Sequence, residues 1–566
     1  MTVDDKQVEE VSEPVPESTE QDKTNAGVAR ATGVLALGNI ISRILGLVRE
    51  IVIANLFGAT AAVDAFLVAT LIPKNIYDLL IGGHVNGAII PVLSEVVTLK
   101  GRDELWRVVS VLLSIMTAIL ALLVILLEIG APLVVSVIGA GLDESTKELA
   151  TTLLRVTSPA LIFMGSFAIL SGALYALRSF VWPAFATAMF NSAIVIIALG
   201  FSPSPEYRLL WDGASTAWLT LRPATGILIV AFGWLMGSIA YTVLQLPGLR
   251  GAKIRFTLNW QHPALRRIGL LYLPVMFSLI LDTLVIRLFS YNLASQSGEG
   301  SIAYMNNGTT LIQFPQGLVA TAISIAILPT LSRQAALISK ESEDKENSRA
   351  FRDTLGLGMR LATSLILPAT IGLFVLATPI IALIFQHGAF TTADTEVTSQ
   401  VLRLYLFGLP FAAIDLLLVY AFYARQDTFT PAAIGFFSLT MYMVVAMLLW
   451  ERYGLFSLMI ADSVKHIIHA FISGYLLHRR MDGLSDRRLF ATFFKTIIAS
   501  IIMGITAYGL LTLLENRITG GGLFSEILLV GLSGGISGGL FMIIAYILKI
   551  EEWRWLIGLL QRKLGM

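Results

Sequence analysis

Cysteine is absent from the 566 residues. Disulfides, thiolate metal sites and thiol nucleophiles are therefore excluded, and the redox compartment cannot be read from the sequence. Charge is scarce as well. Asp, Glu, Lys and Arg make up 14% of the chain against 55% hydrophobic residues, and the mean hydropathy of +0.76 is far above that of a soluble protein of this size. The sequence also lacks a nucleotide-cradling glycine loop, a nucleophile with its base and a zincin helix. No enzyme activity, resident cofactor, metal site or nucleic-acid partner is expected, so the energy for any work must come from ions, the membrane potential or substrate gradients.

What the chain has instead is long apolar runs. A bilayer-spanning helix needs about 20 mostly apolar residues, and fourteen such segments follow one another, many continuous rather than alternating as in a β-barrel. The expected fold class is an all-α polytopic membrane protein with two six-helix lobes and two C-terminal helices. Residues 1–26 read as a disordered acidic tail and 27–249 as the first lobe. Residues 250–265 form a linker, 266–480 the second lobe, 481–550 the last two spans, and 551–566 an amphipathic tail at the membrane surface. Lys and Arg crowd alternate loops, among them Lys100, Arg178, Arg250, Arg333, Arg425 and Arg480, whereas the intervening loops hold only Lys147, Arg208, Arg222, Arg452 and Arg517. That bias predicts both termini in the cytoplasm.

The chain repeats itself. Ile90-Pro91-Val92-Leu93-Ser94 recurs as Leu328-Pro329-Thr330-Leu331-Ser332, an offset of 238, and Ala173-Leu174-Tyr175-Ala176 recurs as Ala421-Phe422-Tyr423-Ala424, an offset of 248. An even number of helices per copy keeps both copies in one orientation, which predicts lobes related by an axis along the membrane normal, with substrate held at their interface.

Charges inside the spans point to function, because a central Arg costs about 2.5–3.5 kcal/mol on insertion scales and so faces a cavity or a partner. In the first span Asn39, Arg43, Gly46 and Glu50 share one helical stripe. Arg49 lies about 9 Å beyond Arg43 and about 120° around the axis. Two such guanidiniums suit different oxygens of one extended anion; the alternative is a structural pair with Glu50, Asp64 or Asp78. In the second span Pro73 bends the helix beside Lys74, which either adds a cation to the cavity or pairs with Asp78 at i+4. Arg287 and Asp282 lie in the seventh span. Asp282, Asp462 and Asp415 are candidates for coupling to Na⁺ or H⁺. Asp462, Lys465, His466 and His469 of the twelfth span read as a polar cavity wall rather than a metal site.

Ser42-Arg43-Ile44-Leu45-Gly46-Leu47-Val48-Arg49-Glu50, Phe57-Gly58-Ala59, Asp64-Ala65-Phe66 and Pro91-Val92-Leu93-Ser94-Glu95 stand in order. So do Phe314-Pro315-Gln316-Gly317, Phe385-Gln386-His387-Gly388-Ala389-Phe390-Thr391 and Phe422-Tyr423-Ala424-Arg425-Gln426-Asp427. In these the chain resembles the MurJ (MviN) family of lipid II flippases, within the multidrug/oligosaccharidyl-lipid/polysaccharide exporter superfamily. The resemblance implies outward flipping of the undecaprenyl-diphosphate-linked peptidoglycan precursor across the bacterial plasma membrane by alternating access. It further implies a lipid-tail groove in spans thirteen and fourteen, and contacts with membrane lipids and the cell-wall synthesis machinery; a monomer is expected. Arg43 and Arg49 match the family's functional arginines, and Asn39, Lys74 and Arg287 complete the expected substrate-binding set. Tyr77, Asp78 and Thr310 stand where the family carries further arginines. The alternatives are a flippase for another polyprenyl-linked glycan, a multidrug-type antiporter of the same fold, and a non-transporting membrane scaffold.

Overall fold

The computed structural model describes residues 20–81, 84–201, 223–259, 261, 263, 285–338, 345–481, 487–517 and 523–553. Asp282, Gly82-Gly83, most of the expected seventh span, and the tails before 20 and after 553 lie outside these residues. Every regular element described is helical. A first lobe comprises α1 (Glu20–Phe57), α2 (Ala61–Ile81), α3 (His84–Ile138), α4 (Glu144–Thr157), α5 (Ala160–Ala176), α6 (Val181–Gly200) and α7 (Pro223–Val243). The second comprises α8 (Arg287–Ser295), α9 (Ser301–Pro315), α10 (Ala322–Ile338), α11 (Lys345–Val375), α12 (Ala377–Phe385), α13 (Thr392–Leu406), α14 (Leu409–Ala424), α15 (Phe429–Tyr453) and α16 (Phe456–Arg480). α17 (Arg487–Glu515) and α18 (Leu523–Ile547) pack on each other and on α11 and α12.

Among the described residues nine helical stretches are long and apolar enough to cross a membrane, and α13 with α14, bent by 42°, makes a tenth. Fourteen spans were expected. α1, α2 and α16 have the length but are kept less apolar by Arg43, Arg49 and Glu50, by Asp64, Lys74 and Asp78, and by Asp462, Lys465 and two histidines. Two boundaries differ from expectation. Helix already begins at Glu20, inside the stretch read as a disordered tail, and the second and third spans meet in one helix kinked at Gly101 (φ 83°). The C-terminal segment also departs from a surface helix where it begins. The chain turns back at Lys549 (φ 53°), and Glu552, 4% exposed, pairs with Arg360 of α11 at 2.9 Å.

The duplication is visible in backbone detail. Arg178 and Gln426, 248 residues apart, both adopt φ 59° just past a helix end. The amide of Ser179 donates to Leu174 O (2.8 Å) and that of Asp427 to Phe422 O (3.0 Å), the same left-handed helix cap in each lobe. Leu93 is buried with Ala173 and Leu174, and Leu331 with Ala421 and Phe422, so the repeated motifs meet in matching cores.

Those two cores are separate. At the opposite end a single larger core runs through both lobes, joining Phe57 and Phe66 to Ile302, Phe385 and Phe390. The lobes are thus fused by apolar packing at one end and have independent cores at the end that carries the Lys- and Arg-rich loops.

Candidate functional site

Between these ends lie two adjoining cavities, of about 570 and 630 Å³ of space not filled by atoms, counted out to their mouths. Arg49, Lys74 and Trp234 line both. The first reaches the second lobe at Tyr291, Asn306 and Asn307; the other is walled by Gly46, Tyr77, Asp78, Asn191 and Tyr241 of the first lobe.

Arg49 is held on three sides. One Nη donates to Asn191 Oδ1 at 2.9 Å, the other pairs with Glu50, and the guanidinium lies 5.9 Å from the centre of the Trp234 ring. The second oxygen of Glu50 accepts from Asn306 Nδ2 at 3.0 Å, so the pair reaches across the lobe interface. A planar, forked cation can satisfy an amide, a carboxylate and an aromatic face together. Lys74 differs. It is exposed although it sits within α2, and it makes no ion pair with any described residue. Water in the chamber must solvate it, since an ammonium in hydrocarbon would not stay charged.

Arg287 takes the partner that the i+4 spacing offered to Lys74. Its Nη1 lies 3.4 Å from Asp78 Oδ2 and donates to Asn75 Oδ1 at 3.3 Å, tying α8 to α2. Arg43 leaves the chamber altogether. Its Nη1 donates to Gln313 O at 3.3 Å, and its guanidinium packs on Gly317, where a Cβ would stand 2.4 Å from Nη1. Gly317 is the second residue of a π-helical turn, Gln316–Thr321, between α9 and α10; such turns favour functional positions. Asn39 is exposed one turn from Arg43 and lines neither cavity. Tyr77 stacks edge-on against Tyr241 (6.5 Å), and Thr310 bonds back to Asn306 O at 2.9 Å.

Of the candidate coupling carboxylates, Asp415 accepts from His469 and Ser473, and Asp462 is paired with Lys465 at 2.5 Å. No group of three His, Asp or Glu suited to a metal occurs among the described residues. Asn191, Trp234 and Asn306 were missed by sequence reasoning. A lone amide in the apolar run of α6 was the available signal for Asn191; nothing marked which aromatic would face Arg49.

At the fused end the seam is made of backbone. Asp64, fully buried, accepts from the amides of Gly300 (2.8 Å) and Ala303 (2.9 Å) at the start of α9. Ala389 N donates to Asn55 O at 2.8 Å. A Cβ on Gly58 would stand 2.6 Å from Ala389 O, one on Gly300 2.4 Å from Ala59 O, and one on Gly388 2.3 Å from Asn55 O. The backbones approach this closely only because those residues have no side chain.

Two helical lobes sealed at one end, with a chamber lined by Arg49 and Lys74 between the sealed and parted ends, define a two-lobed helical membrane transporter. Solved structures share the fold. One titled lipid II flippase MurJ in an inward closed conformation superposes with a TM-score of 0.73 at 24% identity, covering 91% of this chain and 99% of that one. An inward-facing multidrug MATE transporter of the MOP superfamily gives 0.61 at 14% identity, covering 80% and 98%. The family model described as lipid II flippase MurJ matches residues 53–528. A probable lipid II flippase MurJ of Vibrio cholerae is 32% identical over 462 residues, 79% of this chain and 81% of that protein. The lipid II flippase MurJ of Burkholderia cenocepacia is 29% identical over 407 residues, 70% and 73% of the two chains. The chain belongs to the MurJ family.

Proposed function

We propose that this protein moves lipid II, the undecaprenyl-diphosphate-linked precursor of peptidoglycan, outward across the bacterial plasma membrane by alternating access. Family membership supports the substrate, and the observation that carries the reading is Arg49 and Lys74 sharing one water-accessible chamber. Arg49 and Lys74 line the chamber with Glu50 and Asp78, and Arg287 at its rim, paired with Asp78, supplies a third cation. A diphosphate would compete with Glu50 for the Arg49 fork and take the Lys74 ammonium, which has no ion pair among the described residues, directly. Arg43 and Arg287 then act at the rims, Arg43 by joining α1 to α9 at Gln313 O. Lys74 and Arg287 would compensate for the family's arginines, whose places are taken here by Tyr77, Asp78 and Thr310. With both termini cytoplasmic, the parted end would face the cytoplasm and the sealed end the outside, so the headgroup would load from within. The lipid tail would lie along α17 and α18.

The test is replacement of a depleted cell-wall flippase by this chain in a compatible host. Growth is expected with the unmutated protein and is expected to fail with Arg49→Ala or Lys74→Ala at normal membrane levels. Full growth with both substitutions together would remove the physical basis of the proposal.

A further inference from the structure

We propose that Asp415 and His469, which join α14 to α16 in the second lobe, form the site that takes up and releases one proton in each transport cycle; this deepens the transporter reading above and rests on it. The pair is 14% exposed on each side. His469 Nδ1 is hydrogen-bonded to Asp415 Oδ1, and Ser473 Oγ, one turn along, reaches both at 3.3 and 3.2 Å. An ionised carboxylate only accepts, so Nδ1 carries the hydrogen and Nε2 keeps a free lone pair. On α15 the residue facing Nε2 is Gly435, where even an added Cβ would stand 3.9 Å away. At that position no side chain stands over the nitrogen.

A polar stripe leads to it. On α16, Asp462 pairs with Lys465 at 2.5 Å and lies 3.7 Å from His466 Nε2. The Lys465 ammonium is 5.7 Å from the Tyr442 ring of α15, whose hydroxyl shares a 2.7 Å hydrogen bond with Ser290 of α8. From Asp462 to Ser473 the stripe covers about 16 Å of helix axis. Among the described residues, the other titratable groups facing it are Tyr405 of α13, beside Asp462, and Tyr423 of α14, beside Asp415 and Tyr420. With both histidines neutral, Asp415 and Asp462 outweigh Lys465 by one negative charge. A proton on Nε2 of His469 cancels it, converting imidazole to imidazolium and making the bond to Asp415 charge-assisted; release returns the same proton to water. A metal ion fits poorly, because one carboxylate, one hydroxyl and an imidazole do not provide the oxygen shell that hard cations take, and no described cluster of three ligands exists.

The site has a route to the contact that Arg43 makes between the lobes. α14 packs on the π-helical turn Gln316–Thr321, the segment against which Arg43 is lodged. Protonation strengthens the tie between α14 and α16 and so bears on the turn that Arg43 holds.

The full chain in proteoliposomes with lipid II as the probe tests this, scored as the steady-state transbilayer ratio so that a slow variant still counts. One proton per lipid shifts that ratio about tenfold per unit of imposed pH gradient. The shift is expected in the wild type, lost in His469→Gln and Asp415→Asn, and retained in Asp415→Glu. In parallel, imidazole ¹⁵N spectra of the protein in nanodiscs should show His469 gaining and losing a proton as pH is varied, with its signal identified by its loss in His469→Gln. A gradient response that survives His469→Gln, a wild type that flips lipid II but ignores the gradient, or a His469 that never titrates overturns the proposal. If lipid II does not move at any pH, the substrate reading fails, and the imidazole titration then decides the proton site by itself.

Discussion

Asp64 of α2 caps the start of α9 in the other lobe, its two oxygens accepting from the amides of Gly300 and Ala303 at 2.8 and 2.9 Å. A helix beginning in the second lobe thus depends on a carboxylate of the first, and the capping bonds form only while this end is sealed. The negative charge also lies at the positive end of the α9 dipole.

Asp64→Ala should therefore unseal the seam rather than unfold either lobe. Losing a charged acceptor from two buried amides costs about 1.5–3 kcal/mol, enough to shift a two-state equilibrium roughly ten- to a hundredfold. Because the chain has no cysteine, a single Ala59→Cys thiol, buried in the seam, reports opening through its labelling rate. An unchanged rate in Asp64→Ala would count against the cap as a latch.

Gly388→Ala should act at the same seam by wedging it. The residue has φ 61°, and an added Cβ meets Asn55 O at 2.3 Å. The left-handed backbone alone costs about 1–2 kcal/mol, and the overlap adds about 1–3 kcal/mol. The expected outcome is faster Ala59→Cys labelling and loss of support for growth with normal membrane insertion; wild-type labelling with full growth would contradict it.

Breaking the buried Arg360–Glu552 pair should release the segment that follows α18. The side chains are 10% and 2% exposed, and Trp553 Nε1 donates to Ser364 O at 3.2 Å beside them. Glu552→Ala takes a carboxylate from a buried guanidinium, at a cost of up to about 3–5 kcal/mol, whereas Arg360→Leu with Glu552→Leu costs less. Hydrogen exchange over 549–553 is the measurement. Equal protection in the single and the double variant would exclude the ion pair as the clasp.

Acid should fray the start of α4. Asp143 precedes the helix, and hydrogen bonds from Ser145 and Thr146 hold its carboxyl down at about 2. A depressed folded-state value means that the cap's stabilisation is complete above the unfolded value of about 3.9 and is lost as pH falls through about 2. Asp143→Ala should cost about 0.5–2 kcal/mol at neutral pH and abolish the acid dependence of amide exchange at 144–148. A variant with the same acid profile as the wild type would refute the assignment.

The sequence by itself determined the membrane class, the two lobes and the family, because each is written in local pattern: apolar run length, in-order motifs, and a repeat whose caps at Arg178 and Gln426 need only neighbouring residues. It also marked Arg43 and Arg49 as charges in need of polar surroundings. Helical spacing fixes where a side chain points around its own axis, not which helix waits there. Tertiary structure alone separated the two arginines, giving Arg49 a chamber with Asn191 and Trp234 and sending Arg43 to the carbonyl of Gln313. It likewise gave Asp78 to Arg287 and left Lys74 without an ion pair among the described residues, since partners more than a hundred residues away in the chain are chosen by how helices pack and not by any local signal.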